Sequence, residues 1–214
     1  MDINRAARVK FCGLTREEDV RAAVECGAHA VGLVCYPPSP RYVDLDQARK
    51  LASQVPAFVD LVALVVDVSE EELRRIVASF APSLIQFHGS ETPEECQKQA
   101  ALVNRRWIKA LRVNPEMDVE AKACEFMAAG ASSVLLDAYH PTLLGGTGHT
   151  LSLESLPAID VPWVLAGGLN PDNALKAFQA AQELGCYALD VSSGIESAPG
   201  IKDKALMRRF MQAL

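Results

Sequence analysis

The chain has 214 residues, half of them hydrophobic, with only 6% aromatic, 22% charged and a formal net charge of −6. That length suits one α/β domain with a full core, while an acidic balance with no basic run argues against nucleic acid and against an anionic membrane surface. No apolar stretch is long enough to span a bilayer, and Met1-Asp2-Ile3-Asn4-Arg5 lacks the apolar core of an export signal, so a cytoplasmic protein is expected.

Strand and helix patterns alternate along the chain. Residues 9–12 read as a strand ending at Cys12, broken by Gly13. Thr15-Arg16-Glu17-Glu18 reads as a capping box opening a helix that stops at Gly27. Residues 30–34 form a second strand, and a Pro-rich loop over 36–43 carries Arg41. Asp44 caps a helix to about 53, with Gln47 at the reciprocal position. A third strand over 59–66 leads to a capping box at Ser69. The fourth strand, 84–87, ends at His88-Gly89, and Thr92-Pro93 opens the next helix. Strand 107–111, a helix over 118–129 and strand 133–136 follow, the last ending at Asp137. A Gly-rich loop over 138–150 is long enough to serve as a lid, and 151–156 reads as a short helix. Strand 163–166 ends in Gly167-Gly168, a helix runs from Asn170 to Gly185, and strand 187–191 ends in Ser192-Ser193-Gly194. The last helix covers 202–214.

Eight strand–helix units demand parallel pairing and right-handed crossovers, and eight such strands close without an edge. The first turn, Cys-Gly-Leu-Thr, lacks the GxGxxG of an open dinucleotide-binding sheet. The expected fold is therefore a (β/α)8 TIM barrel, with residues 1–214 forming one catalytic domain.

A barrel gathers the carboxyl ends of its strands on one rim, which here collects Cys12, Arg41, Asp67, His88, Arg112, Asp137 and the two glycine turns. Lys10 and Cys12 share a strand face about 6 to 7 Å apart, and an ammonium favours the reactive thiolate. Taken alone, Cys12 also fits a buried structural thiol, His88 a hydrogen-bonded structural histidine, Asp67 a turn residue and Arg112 a solvated charge. Turns such as Gly167-Gly168 and Ser193-Gly194 after the last two strands of a barrel suit a phosphate, held by backbone N–H groups against the unfavourable net charge. A thiolate and a carboxylate on opposite sides of a phosphorylated small molecule suit isomerisation by proton transfer, and Arg41 offers a fork for a second anionic group. The six cysteines show no CxxC spacing, so no zinc site is expected; Cys26, Cys96, Cys124 and Cys186 read as packing residues.

These motifs in combination are specific: Lys10-Phe11-Cys12-Gly13-Leu14-Thr15, Ser39-Pro40-Arg41-Tyr42-Val43, Gln86-Phe87-His88-Gly89, Leu136-Asp137, Gly145-Gly146-Thr147-Gly148, Leu165 through Pro171, and Asp190 through Glu196 with Gly200, Lys202 and Asp203. The chain resembles the phosphoribosylanthranilate isomerases of tryptophan biosynthesis from Val9 to about Phe210. The resemblance implies an Amadori rearrangement of N-(5-phosphoribosyl)anthranilate to 1-(2-carboxyphenylamino)-1-deoxyribulose 5-phosphate. It implies Asp137 as general acid and Cys12 as general base. Arg41 would face the anthranilate carboxylate, His88 would line the site, and Asp190 would lie near the ribose. Gly168, Ser193 and Gly194 would hold the phosphate by their backbone. No cofactor and no metal is implied, and a monomer is expected. Cys35 stands where an aromatic residue is usual, which places a second thiol near the rim.

Other readings divide on particular residues. A related isomerase of the histidine pathway would end its first strand in Asp rather than Cys12. A metal-dependent epimerase needs converging histidines and carboxylates, and this chain has four histidines without that arrangement. A non-catalytic phosphate-binding barrel has no reason to keep both Cys12 and Asp137.

Overall fold

A computed structural model describes residues 7–114, 116–137 and 158–214. The strands are β1 (Arg8–Cys12), β2 (Ala30–Val34), β3 (Asp60–Val65), β4 (Leu84–Phe87), β5 (Arg106–Arg112), β6 (Ser133–Asp137), β7 (Trp163–Ala166) and β8 (Cys186–Val191). They close into one parallel barrel in sequence order, with β8 paired back to β1. Among the described residues the helices are α1 (Glu17–Glu25), α2 (Leu45–Ala52), α3 (Glu70–Phe80), α4 (Pro93–Val103), α5 (Val119–Ala128), α6 (Ala174–Gln182) and α7 (Lys204–Gln212). None of them is long and apolar enough to cross a membrane. The expected lid over 138–150 with its glycines, and the expected helix over 151–156, lie outside the described residues.

Strand alternation sorts the core into two compartments. Val9 and Phe11 of β1 face outward, where Phe11 meets Phe210 of α7 edge-on at 6.1 Å. Burying each ring contributes about 1.5–3 kcal/mol, and this contact seats the last helix against the first strand. Outside β4 and β5, Phe87 and Trp107 stack edge-on at 5.9 Å, and Trp107 meets Phe126 of α5 at 6.4 Å. Inside, Ala110, Leu135, Val164, Ala166 and Ala188 fill the barrel, and Cys12, Val34 and Leu64 form a separate cluster.

Three helix starts differ from the sequence expectation, for three different reasons. Thr15 does not cap α1; its hydroxyl donates to the carbonyl of Gly200, and Arg16 occupies the N-cap without a side-chain cap bond, its guanidinium donating to Asp19 instead. Residues after Asn170 form a side-chain turn before α6: Asn170 Oδ1 accepts from Asp172 N at 2.9 Å, and Asn173 Oδ1 accepts from Asn170 N at 2.8 Å. Lys202, expected to begin the last helix, instead ends a small hairpin of β9 (Glu196–Ala198) with β10 (Ile201–Lys202), and α7 starts behind Asp203. Elsewhere the expected N-caps hold, since Asp44, Ser69 and Thr92 each accept from the backbone three residues on, but only Thr92 with Glu95 completes a capping box; Gln47 donates to the Thr15 carbonyl instead of returning to Asp44.

Candidate active site

The carboxyl ends of the strands surround a cavity of about 460 Å³ lined by Cys12, Arg41, His88, Asp137, Gly168, Asp190 and Ser193, among others. Arg112 also lines it, though the residue as a whole is exposed. Gly194 does not line the cavity. A Cβ there would come 1.8 Å from the carbonyl oxygen of Leu169, so glycine is what lets the turn after β8 press onto the turn after β7. Among the described residues, no acceptor takes the backbone N–H of Gly168, Ser193 or Gly194.

The β1 side is charge-dense. Lys10 and Cys12 both point into the barrel, as alternation requires, and the residue paired with Cys12 on β2 is Gly32. A Cβ on Gly32 would lie 2.9 Å from the Cys12 sulfur and 3.1 Å from the Lys10 ammonium, so both groups use the space that glycine leaves. Lys10 Nζ donates to Asp190 Oδ1 at 2.8 Å, and both side chains are 9% exposed. Burial works against the ammonium, but the Asp190 carboxylate and the Cys12 sulfur together hold its pKa above the ordinary lysine value. Burial pushes the Cys12 thiol up, with Asp190 acting the same way, while Lys10 and the more distant Lys202 oppose that rise. The sulfur therefore has a local cation that favours its ionised form inside an apolar wall that does not.

His88 sits across the mouth, its pKa lowered chiefly by burial while Asp137 and Asp190 pull the other way. The side-chain nitrogen of Gln86, two residues earlier on the same inward face, lies 3.1 Å from His88 Nδ1. A neutral ring accepting there carries its proton on Nε2, which leaves a donor for a ligand. Asp137 ends β6 half-buried, and its side chain has no hydrogen bond or ion pair among the described residues.

Other expectations need revision. Cys35 is buried in the outer core, is not among the cavity-lining residues, and burial pushes its thiol to about 12. Cys124 is exposed on α5 rather than packed. Asp67 does act as a turn residue: its φ is 47° and its Oδ1 accepts from the backbone and hydroxyl of Ser90, at 2.7 and 3.0 Å. Among the described residues no group of three or more His, Cys, Asp or Glu side chains could hold a metal. Sequence reasoning missed the partners of Arg41. Glu196 and Lys202 stood in a quoted motif, but nothing local assigned them a role, because the Arg41–Glu196 contact spans 155 residues.

Comparison with known proteins narrows the chemistry. The family model of N-(5'-phosphoribosyl)anthranilate (PRA) isomerase matches residues 9–213. A protein of Acinetobacter calcoaceticus named N-(5'-phosphoribosyl)anthranilate isomerase is 48% identical over 207 residues, covering 97% of this chain and 96% of that protein. One of the same name from Pseudomonas putida is 47% identical over 208 residues, 97% of each. The crystal structure of phosphoribosyl anthranilate isomerase from Thermotoga maritima superposes with a TM-score of 0.80 at 34% identity, over 97% of this chain and 98% of that one. A phosphoribosyl anthranilate isomerase in complex with reduced 1-(o-carboxyphenylamino)-1-deoxyribulose 5-phosphate superposes at 0.79, also at 34% identity and the same coverage. With a closed barrel, a thiol and a carboxyl facing one cavity, and matches along almost its whole length, the chain belongs to the N-(5'-phosphoribosyl)anthranilate isomerase family.

Proposed function

We propose that this barrel isomerises N-(5-phosphoribosyl)anthranilate with Asp137 as general acid and Cys12 as general base. The observation that carries the reading is the placement of the two groups: both face one cavity, from β1 and β6, with backbone N–H groups at the ends of β7 and β8 that no acceptor among the described residues takes. Those N–H groups, at Gly168, Ser193 and Gly194, take the substrate phosphate. Asp137 gives its proton to the furanose ring oxygen; the C1′–O bond breaks and the anthranilate nitrogen forms a Schiff base with C1′. The Cys12 thiolate then removes the proton from C2′, and the electron pair moves to give an enolamine. Tautomerisation yields the C2′ ketone of 1-(2-carboxyphenylamino)-1-deoxyribulose 5-phosphate. A thiolate suits the base role because Lys10 can stabilise it without donating to the substrate carbon.

Arg41 faces the anthranilate carboxylate, His88 offers Nε2–H near the ring, and Asp190 holds Lys10 while lining the ribose portion of the cavity. No cofactor and no metal enters this scheme. The same reading takes the chain as a cytoplasmic monomer: among the described residues the exposed large apolar side chains are Tyr42, Phe58, Leu175 and Ile201, carried on separate segments. The direct test is an assay on phosphoribosylanthranilate generated in situ, read by loss of its fluorescence. Turnover expected of a pathway isomerase supports the reading; a folded protein that binds the substrate without converting it would remove it.

A further inference from the structure

Arg41 does not face the cavity alone. Its Nε and Nη2 donate to the two carboxylate oxygens of Glu196 on β9, at 2.7 and 2.6 Å. Glu196 Oε1 also accepts from Lys202 Nζ at 2.7 Å, and that ammonium donates in turn to the carbonyl and hydroxyl oxygens of Ser192, at 3.0 and 3.3 Å. The Glu196 and Lys202 side chains are 5% and 0% exposed, against 23% for Arg41. So the brace is buried and only its end reaches the cavity.

A guanidinium has two edges that can take a carboxylate as a fork, one from Nε with Nη2 and one from Nη1 with Nη2. Glu196 occupies the first. Among the described residues nothing takes Nη1, and Arg41 lines the cavity. A free arginine would surrender rotamer freedom on meeting a ligand; here that freedom is already lost on folding. Two cations and one carboxylate also leave the cluster net positive within a chain of net charge −6.

We propose that Glu196, braced by Lys202, is a positioning residue that fixes the Arg41 guanidinium with its Nη1–Nη2 edge toward the cavity, and so sets the preference for ligands carrying a carboxylate at that end. Lys202 bonds Ser192 as well, so the same three side chains hold the carboxylate end of the cavity at a set distance from the phosphate turn. The proposal rests on the reading of Arg41 given above.

Two ligands test it by calorimetric titration: reduced 1-(o-carboxyphenylamino)-1-deoxyribulose 5-phosphate, and the same compound with phenyl in place of carboxyphenyl. Glu196→Gln is expected to weaken the carboxylated ligand about tenfold or more while the phenyl compound binds as to wild type. Arg41→Ala should show the same selective loss, and the double variant no further loss. Glu196→Asp, which keeps the charge beside Lys202 but is one carbon short of Arg41, carries the same expectation if Glu196→Gln fails to fold. Equal weakening of both ligands by the Glu196 variants overturns the proposal, since it marks a general structural role; so does no weakening of either. If Arg41→Ala itself fails to discriminate the two ligands, the reading of Arg41 falls and takes this proposal with it. A discriminating Arg41→Ala beside a silent Glu196→Gln removes Glu196 alone.

Discussion

Of the buried lysine–carboxylate pairs among the described residues, two held by barrel strands face opposite ways. Lys10 of β1 points inward, meets Asp190 at 2.8 Å and stands beside Cys12. Lys109 of β5 points outward, where it meets Glu91 at 2.6 Å and the Gly89 carbonyl at 2.8 Å, with the Phe126 ring centre 5.6 Å away. Glu91 also accepts from the backbone of Asp67 and Gly89, at 2.8 and 2.9 Å, so both of its oxygens are engaged. Asp190, by contrast, uses Oδ1 alone among the described residues and lines the cavity with Cys12. Burial of an ion pair therefore does not mark a reactive site. A closed pair outside the sheet ties the turns after β3 and β4; an open pair inside it leaves a cation for a reacting group.

Each half of that comparison can be broken separately. Lys109→Met leaves Glu91 charged and buried, and should cost about 3–5 kcal/mol in urea unfolding, while turnover per folded molecule stays near wild type. A loss of turnover with full stability would mean that the outer pair serves the chemistry after all. Lys10→Met should act on the pH profile. Burial already holds the Cys12 thiol above its ordinary value, and Lys10 opposes that rise. Removing the opposing cation raises the thiol further, so the ascending limb of kcat/KM against pH should move to higher pH. An unchanged limb would leave Lys10 as packing only. The smallest effect belongs to the helix that follows the turn held by Glu91. Thr92→Ala removes the α4 capping box and should lower stability by about 1 kcal/mol with no change in the pH profile, read by thermal unfolding.

The two lysines also show what a sequence can disclose. Lys10 drew notice because it precedes by two a cysteine that ends a strand, and alternation put both on one face. Lys109 precedes Leu111 by the same spacing, and nothing in that stretch states that its face is the outer one. Periodicity placed the strands well: β2, β4 and β7 begin and end where the pattern puts them. It failed where a distant group competes for a local one. Thr15 serves Gly200 rather than its own helix, and Lys202 belongs with Glu196 to a hairpin that closes on Arg41 instead of opening α7. Of the site, the end-of-strand residues Cys12, His88 and Asp137 were legible because a barrel fixes where strand ends go, whereas Asp190 entered only through the family resemblance. Their supports were less so. Gln86 could have been found by the alternation that found Lys10, whereas the Arg41 brace depends on a contact across 155 residues that no local pattern encodes.

The central claim is that Cys12 and Asp137 supply the base and the acid. Its most direct test is steady-state turnover of phosphoribosylanthranilate by Cys12→Ala and Asp137→Asn, each checked for a wild-type unfolding curve. Loss of a positioned general acid or base removes about 10²–10⁴-fold in rate, and kcat is expected to fall by at least that much in either variant. A folded Cys12→Ala enzyme that turns over near the wild-type rate would contradict the account.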